Sequence, residues 1–250
     1  MTGFKDHFSA GSAAYALHRP RYPDSLFAWL AEAAPSRALA WDAATGSGQA
    51  ALGLAAHFDR VVALDASASQ IAHAAPHRRV EYRVGRAEAS GLPDAAADVV
   101  TVAQALHWLD VPAFWREARR VLRPGGVVAV WGYALPAISP AIDALIDQFS
   151  NRTLASYWPP ERRILDERYE TVDFPFEPLP APPFRIELEA TLDEYLDYLR
   201  TWSAVRRWTA RHGGDPVGAL AGRLAPHWRG RCRIVWSLAL RAGRAAGAGG

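Results

Sequence analysis

AWDAATGSGQA, residues 40 to 50, ends a short apolar run in the acid Asp42 and continues into a loop that contains Gly46 and Gly48. The run before the acid is continuous, as in a strand that is buried on both faces. The Ala-rich stretch from Gln49 to His57 then has the composition of a helix. Because glycines between a strand and a helix let the backbone approach a ligand closely, these residues predict a strand, a binding loop and a helix in succession.

The same alternation continues beyond the loop. Ser67 and Asp110 precede helical stretches as candidate N-caps, and four further apolar runs are predicted strands, at residues 61–64, 80–84, 98–103 and 127–131. Continuous apolar strands that alternate with helices indicate an α/β fold with a parallel sheet covered on both faces. Ligands of such sheets lie outside the carboxyl ends of the strands, where we expect Asp42, Asp65, Glu88 and residues 104–110.

The second half of the chain is less regular. Residues 138–170 and 191–212 are predicted to be helical, whereas residues 173–184 carry five prolines and are predicted to form a surface excursion. Residues 232–240 alternate weakly between apolar and polar side chains, which predicts a last strand. The Ala/Gly-rich residues 243–250 are predicted to be a flexible tail.

Composition narrows the classes of function. The net charge of +2 does not favour a nucleic-acid partner, and no Cys/His cluster has the spacing of a zinc site. Cys232 is the only cysteine, so a disulfide within the chain is impossible. No run reaches the roughly 20 apolar residues of a membrane span, and the N-terminus lacks the apolar core of a signal peptide. We therefore expect a cytoplasmic protein with no metal, nucleic-acid or membrane partner.

Asp65 indicates a nucleotide-like ligand. It lies 17 residues after Gly48, at the predicted end of the next strand, where a carboxylate can accept both hydroxyls of a ribose. A helix cap and a solvated loop acid are the alternatives. A nicotinamide-dependent oxidoreductase is a competing function, but Ala51 stands where its fingerprint has a third glycine, and Lys5 is the only lysine for a Tyr-x-x-x-Lys pair. A non-catalytic binding module is the third hypothesis.

Five motifs in order resemble those of class I S-adenosylmethionine-dependent methyltransferases: residues 42–49, Asp65, residues 86–88, residues 104–108 and residues 120–126. The N-terminal Tyr15, Arg19-Pro20 and Tyr22-Pro23, together with YWPPER at 157–162, are similar to the trans-aconitate methyltransferase-like group. The resemblance covers roughly residues 4 to 240. It implies a Rossmann-like sheet of seven mostly parallel strands, with an N-terminal helical lid and a helical insert after the fifth strand.

The resemblance also implies how one domain is divided. The lid would comprise residues 1–36 and the S-adenosylmethionine-binding core residues 37–135. The insert and the closing strands would comprise residues 136–242, and the flexible tail residues 243–250. The cofactor-binding residues that it implies are Tyr15, Arg19, Tyr22, Asp42, Ala44, Gly46, Gly48, Gln49, Asp65, Ala87, Glu88, Gln104 and Ala105.

Each group of these residues has an implied role. Gly46 and Gly48 would lie against the methionine part of the cofactor, while Asp42 would order the loop and face the methionine amino group. Asp65 would hold the ribose. Ala87 and Glu88 would bound the adenine, and Gln104 and Ala105 would line the opposite side. Tyr15, Arg19 and Tyr22 would form part of the lid. Ala44 departs from the family, which often has glycine there, and its methyl group narrows the backbone conformations available.

His107 and Arg162 are the candidate catalytic residues for transfer to a small-molecule acceptor, which would release S-adenosylhomocysteine. Arg162 would hold a carboxylate acceptor by a two-point fork, in which case no base is needed. A neutral phenol or heterocycle would instead give its proton to His107, with His18 as a weaker candidate. Structural roles for both residues are the alternatives. The aromatic side chains that could build the acceptor pocket are Trp108, Trp131, Trp158 and Trp202.

Overall fold

The computed structural model describes residues 21 to 245. Its strands are β1 (Leu39–Ala43), β2 (Arg60–Asp65), β3 (Val80–Val84), β4 (Ala97–Ala103), β5 (Leu122–Gly132), β6 (Glu177–Pro178), β7 (Arg185–Ala190), β8 (Cys232–Ser237) and β9 (Ala239–Arg244). Seven of them form one sheet in the order β3-β2-β1-β4-β5-β9-β6. Strands β1 to β5 are parallel, and β9 is antiparallel to both β5 and β6. The predicted sheet of seven mostly parallel strands is confirmed.

Helices cover both faces of this sheet. They are α1 (Asp24–Ala33), α2 (Gln49–His57), α3 (Ala68–Ala72), α4 (Val111–Val121), α5 (Pro140–Gln148), α6 (Arg163–Asp166), α7 (Leu192–Arg200), α8 (Ser203–His212) and α9 (Pro216–Leu224). The predicted caps are in place, since the side chain of Ser67 accepts from the backbone of Gln70 and that of Asp110 from the backbone of Ala113. Two buried apolar clusters pack against the sheet, and they form the core.

Helix α1 is part of that core, although it lies within the range predicted as the lid. Leu26, Phe27 and Leu30 are buried, and the ring of Phe27 packs on Gly53 of α2, where an added Cβ would lie 2.1 Å from it. The lid hypothesis therefore applies to the residues before Asp24, of which the structure describes the last three. Tyr15 and Arg19 lie outside the described residues.

The second half departs from prediction in four places. Residues 191–212 form two helices rather than one, because Trp202 is buried in an extended conformation between α7 and α8. Residues 232–240 form two strands: β8 pairs with β7 in a separate sheet, and β9 crosses to the main sheet. Strand β9 runs two residues into the predicted tail, because Gly243 and Arg244 pair with β5. The range 138–170 also contains short turns between α5 and α6.

Candidate active site

The loop after β1 bends by alternating left-handed residues. Ala44, Gly46 and Gly48 have φ angles of +54°, +58° and +88°. For an L-residue this conformation costs about 1–2 kcal/mol, which Ala44 bears and the two glycines do not. Backbone bonds hold the bend, since the Thr45 amide donates to Leu64 of β2 at 2.9 Å. The loop therefore sits over the carboxyl ends of β1 and β2, and Gln49 begins α2 directly after it.

Asp42 lies beneath the loop and is fully buried. Its carboxylate accepts hydrogen bonds from the hydroxyls of Thr45 in the loop and Thr101 in β4. Burial raises the pKa of Asp42 to about 6, and the nearby Asp65 adds to the rise while the hydrogen bonds oppose it. These contacts show Asp42 ordering the loop from within the protein.

Asp65 ties the loop to the next helix. One carboxylate oxygen accepts from the backbone N–H of Gly46 at 2.8 Å, and the other accepts from the N–H of Ser67 at 2.8 Å. Ser67, and not Asp65, provides the side-chain cap of α3. Asp65 is partly exposed at the carboxyl end of β2, and a carboxylate offers about four acceptor positions. Its position is compatible with a ribose contact in addition to the loop contact.

The two glycines of the loop have different surroundings. Among residues 21–245, a Cβ on Gly46 would meet one atom within 4 Å, the side-chain oxygen of Gln70 at 4.0 Å. A Cβ on Gly48 would lie 2.5 Å from the hydroxyl oxygen of Tyr82, whose ring covers this glycine from β3. Tyr82 is held there by a 3.0 Å hydrogen bond to the carbonyl of Ala75. As far as the described part of the chain is concerned, the side of the loop at Gly46 is open and can receive a ligand, whereas Gly48 is required by packing.

The remaining predicted cofactor residues lie along the same edge. Ala87 and Ala105 are buried, and Glu88 accepts from the backbone N–H of Asp110 at 2.9 Å. Gln104 has a φ of +57° at the end of β4, and its side-chain amide donates to the carbonyl of Tyr133 at 3.0 Å. Glu88 and Gln104 thus have protein partners of their own as well as a position at the ligand edge.

Tyr22, the described member of the predicted lid residues, packs on the core beside this edge. Its ring centroid lies 5.5 Å from that of Trp131 and 6.4 Å from that of Tyr133. Trp131 is fully buried and does not line the cleft described next, so its predicted place in the acceptor pocket is not supported. Its apolar ring fills the space between the sheet and α1 instead.

A cleft of about 100 Å³ brings the two candidate catalytic residues together. His107 and Arg162 both line it, as do the predicted Trp108, Trp158 and Trp202. Sequence reasoning did not single out Tyr133, Tyr198 or Arg206, which complete its walls. No motif marks these three, because they reach the cleft through tertiary packing alone, from the residue after β5, from α7 and from α8. The described lining contains two arginines and no acidic side chain.

Arg162 is held rigidly at this cleft. Its guanidinium lies over the ring of Trp158, 3.5 Å from the ring centroid, and only 13% of its side chain is exposed. Its Nε donates to a carboxylate oxygen of Asp166 at 3.1 Å. Within residues 21–245, Nη1 and Nη2 make no hydrogen bond or ion pair. The stack and the single anchor leave one edge of the fork to bind an anion.

His107 occupies a more enclosed position. It is 9% exposed, and its ring centroid lies 4.7 Å from that of Trp108. Both residues belong to the short helical turn that follows β4. The imidazole can therefore contact a ligand in the cleft, although the stack on Trp108 also gives it a structural role.

Comparison with known proteins identifies relatives of this chain. Residues 41–130 match the model of a methyltransferase domain. A protein of Dictyostelium discoideum described as a methyltransferase is 34% identical over 206 residues, which are 81% of this chain and 78% of that one. The solved structure of a protein described as a type II methyltransferase, from Anaeromyxobacter dehalogenans, superposes with a TM-score of 0.86 and 47% identity. That match covers 92% of this chain and 99% of the other.

The chain belongs to the S-adenosylmethionine-dependent methyltransferase family. A further relative, an uncharacterized methyltransferase of Mycobacterium tuberculosis, is 38% identical over 127 residues, 50% of this chain and 51% of that protein. Among residues 21–245 of the methyltransferase, no helix combines the length and apolar character needed to cross a membrane. The same residues hold no group of three side chains suited to a metal ion.

Proposed function

We propose that the methyltransferase transfers the methyl group of S-adenosylmethionine to a carboxylate oxygen of a small-molecule acceptor held by Arg162. The main support for this proposal is the arrangement of Arg162. Its guanidinium stacks on Trp158, and its Nε is anchored to Asp166. Its remaining amino groups lie within a cleft whose described lining has no acidic side chain. A guanidinium in this arrangement favours a planar anion that can accept two parallel hydrogen bonds.

The residues at the sheet edge fit the donor. The open side of Gly46 gives room for the methionine part, and Asp65 stands where a ribose would lie, next to Gly46. We assign the adenine end to Ala87 and Glu88, the opposite wall to Gln104 and Ala105, and the supporting loop to Asp42, Ala44, Gly48 and Gln49. Tyr15, Arg19 and Tyr22 are assigned to a lid formed by the residues before α1.

Positioning carries most of the catalysis in this proposal. When bound, S-adenosylmethionine supplies a methyl group that its sulfonium centre has already activated. Arg162 orients the acceptor so that one carboxylate oxygen faces that methyl group, and the aromatic walls exclude water. Because a carboxylate oxygen is already nucleophilic, no group of the chain has to remove a proton, and His107 orients the acceptor.

A neutral phenol or heterocycle is the second candidate acceptor. The observation that favours it is the position of His107 on the cleft wall, beside the aromatic ring of Trp108. In that case His107 would take the acceptor's proton as transfer proceeds. A carboxylate acceptor requires Arg162 as its anchor and no base, whereas a phenol or heterocycle requires His107 as the base.

Two broader assignments belong to the same proposal. The motifs at residues 15–23 and 157–162 support a place near the trans-aconitate methyltransferase-like group. We also assign residues 37–135 to donor binding and residues 136–242 to the acceptor side, as parts of one domain in a cytoplasmic enzyme. The positions of Gly46 and Asp65 in the first range and of Trp158 and Arg162 in the second support this division.

Radiolabelled S-adenosylmethionine with a panel of small carboxylic acids and phenols tests the proposal. For an accepted acid, Arg162→Ala should raise KM about 10- to 100-fold, as expected for lost hydrogen bonds to a charged group, while His107→Ala costs little. Arg163→Ala is the matched control, because Arg163 is adjacent but 79% exposed and pairs with Glu167. Loss of transfer in His107→Ala with no effect of Arg162→Ala would establish the phenol alternative.

A further inference from the structure

A second cavity adjoins the acceptor cleft. It has a volume of about 130 Å³ and is lined by Ala134, Leu135, Ala137, Leu165, Arg168, Val235, Ser237 and Ala239. Three of these residues, Ala134, Leu135 and Leu165, also line the cleft. The two spaces are therefore separated by a shared wall whose bulk comes from two leucine side chains.

Leu165 is the fixed part of this wall. It is 8% exposed, and its Cδ1 packs on Gly132 at the end of β5, where an added Cβ would lie 2.4 Å from it. It follows Arg162 by three residues in the turn that leads into α6, which places the two side chains on the same side of the helix. The wall thus stands directly beside the proposed carboxylate anchor.

The second cavity suits an apolar chain. Most of its lining is alanine, leucine and valine, with Arg168 and Ser237 as the polar members. The cleft that would hold an acceptor at Arg162 contains about 100 Å³, and Leu165 borders it. Acceptors longer than the cleft would have to pass this side chain to reach the second cavity.

We propose that Leu165 determines the length of acceptor that the methyltransferase takes, by separating the cleft at Arg162 from the adjoining apolar cavity. This inference rests on the proposed carboxylate acceptor. Replacing Leu165 by alanine joins the two spaces, so the bound acid can extend into the second cavity. Each methylene that gains a buried position should strengthen binding about fourfold.

Calorimetry with straight-chain monocarboxylates from butanoate to decanoate, in the presence of S-adenosylhomocysteine, tests the inference. In the wild type, affinity should rise with chain length and then stop rising when the cleft is full. In Leu165→Ala the rise should continue over at least two further methylenes, a gain of more than tenfold for the longer acids. Leu165→Met, which keeps the bulk of the side chain, is the matched control and should keep the wild-type length preference.

The outcomes separate the inference from the function on which it rests. If acids bind in an Arg162-dependent way but Leu165→Ala keeps the wild-type length preference, the role of Leu165 is wrong and the carboxylate acceptor stands. If no acid binds either protein, the carboxylate acceptor is wrong and the inference falls with it. Circular dichroism confirms folding of each variant, and Leu165→Val, a smaller change, replaces Leu165→Ala if that variant does not fold.

Discussion

Gly48 and Gly46 should respond differently to alanine, although both belong to the same loop motif. Each has a positive φ, so alanine at either position should cost about 1–2 kcal/mol of folding free energy from backbone strain. At Gly48 the added Cβ would also lie 2.5 Å from the Tyr82 hydroxyl oxygen and 2.8 Å from a ring carbon. Overpacking of this kind costs about 1–3 kcal/mol more. We therefore expect a total loss of about 2–5 kcal/mol for Gly48→Ala and about 1–2 kcal/mol for Gly46→Ala.

Urea unfolding of a double-mutant cycle measures this difference. Tyr82→Ala removes the ring that covers Gly48, so in that background Gly48→Ala should cost only the strain, about 1–2 kcal/mol. Gly46→Ala is the matched control, because Tyr82 is not among the atoms near its added Cβ and the two changes should be additive. Affinity for S-adenosylhomocysteine should instead fall more in Gly46→Ala than in Gly48→Ala, because the new methyl group at Gly46 enters the open side of the loop.

Two results would refute this reasoning. Equal stability losses for the two alanine variants would mean that Tyr82 moves aside without cost. A coupling energy between Gly48→Ala and Tyr82→Ala below about 0.5 kcal/mol would mean that the clash does not contribute to the stability of the folded state.

Three further substitutions test the loop and its supports. The pKa of Asp42 is raised from 3.8 to about 6 in the folded protein. Protonated Asp42 therefore stabilises the folded state at low pH, and this contribution is lost as pH rises through 6. Asp42→Asn does not titrate, so between pH 4 and 7 its free energy of unfolding should gain about 2 kcal/mol relative to wild type, and parallel pH curves would contradict this. Ala44→Gly should relieve strain and raise the free energy of unfolding by up to about 1 kcal/mol, measured in urea; a loss would show that the strain is absent. Asp65→Ala should weaken S-adenosylhomocysteine binding by about 1.5–3 kcal/mol in calorimetry, and unchanged affinity would remove Asp65 from the site.

The first half of the fold was predictable because its signals are local. Helix α2 has the predicted bounds, Gln49–His57, and the caps Ser67 and Asp110 act on residues three positions away. A cap or a glycine turn can be predicted from neighbouring residues, and a continuous apolar run indicates a strand that is buried on both faces. The carboxyl edge of the sheet follows from this order of elements.

The second half was not predictable in the same way because its pairing is distant. Strand β7 alternates buried and exposed residues, and its partner β8 begins more than forty residues later along the chain, with Ala190 opposite Cys232. The passage from β8 to β9 takes place at Leu238, whose backbone donates to Phe184. The local composition indicates neither the pairing of β7 with β8 nor the change of sheet at Leu238. One strand was therefore predicted where two are present.

In the candidate site, too, local features could be predicted from the sequence and most contacts between distant residues could not. Glycines in the loop were predicted, but the cover that Tyr82 places over Gly48 comes from β3, and the sequence contains no spacing that reveals it. His107 and Arg162 belong to separate sequence motifs, and the structure places them on one cleft. The stack of Arg162 on Trp158 depends on the turn before α6, whereas its ion pair with Asp166 has the i,i+4 spacing that a helical turn brings together.

The two acids assigned to the proposed donor site have a structural role whether or not they contact the donor. Asp42 holds Thr45, and Asp65 holds the backbone of Gly46, so two carboxylates from neighbouring strands keep a loop in place that contains a strained Ala44. Removing either acid releases the loop as well as any contact to the donor. A loss of activity in Asp65→Ala therefore does not by itself identify a ribose contact. A ribose contact is identified only if Asp65→Ala reduces the free energy of donor binding by more than it reduces the free energy of unfolding, because a loop effect alone lowers both.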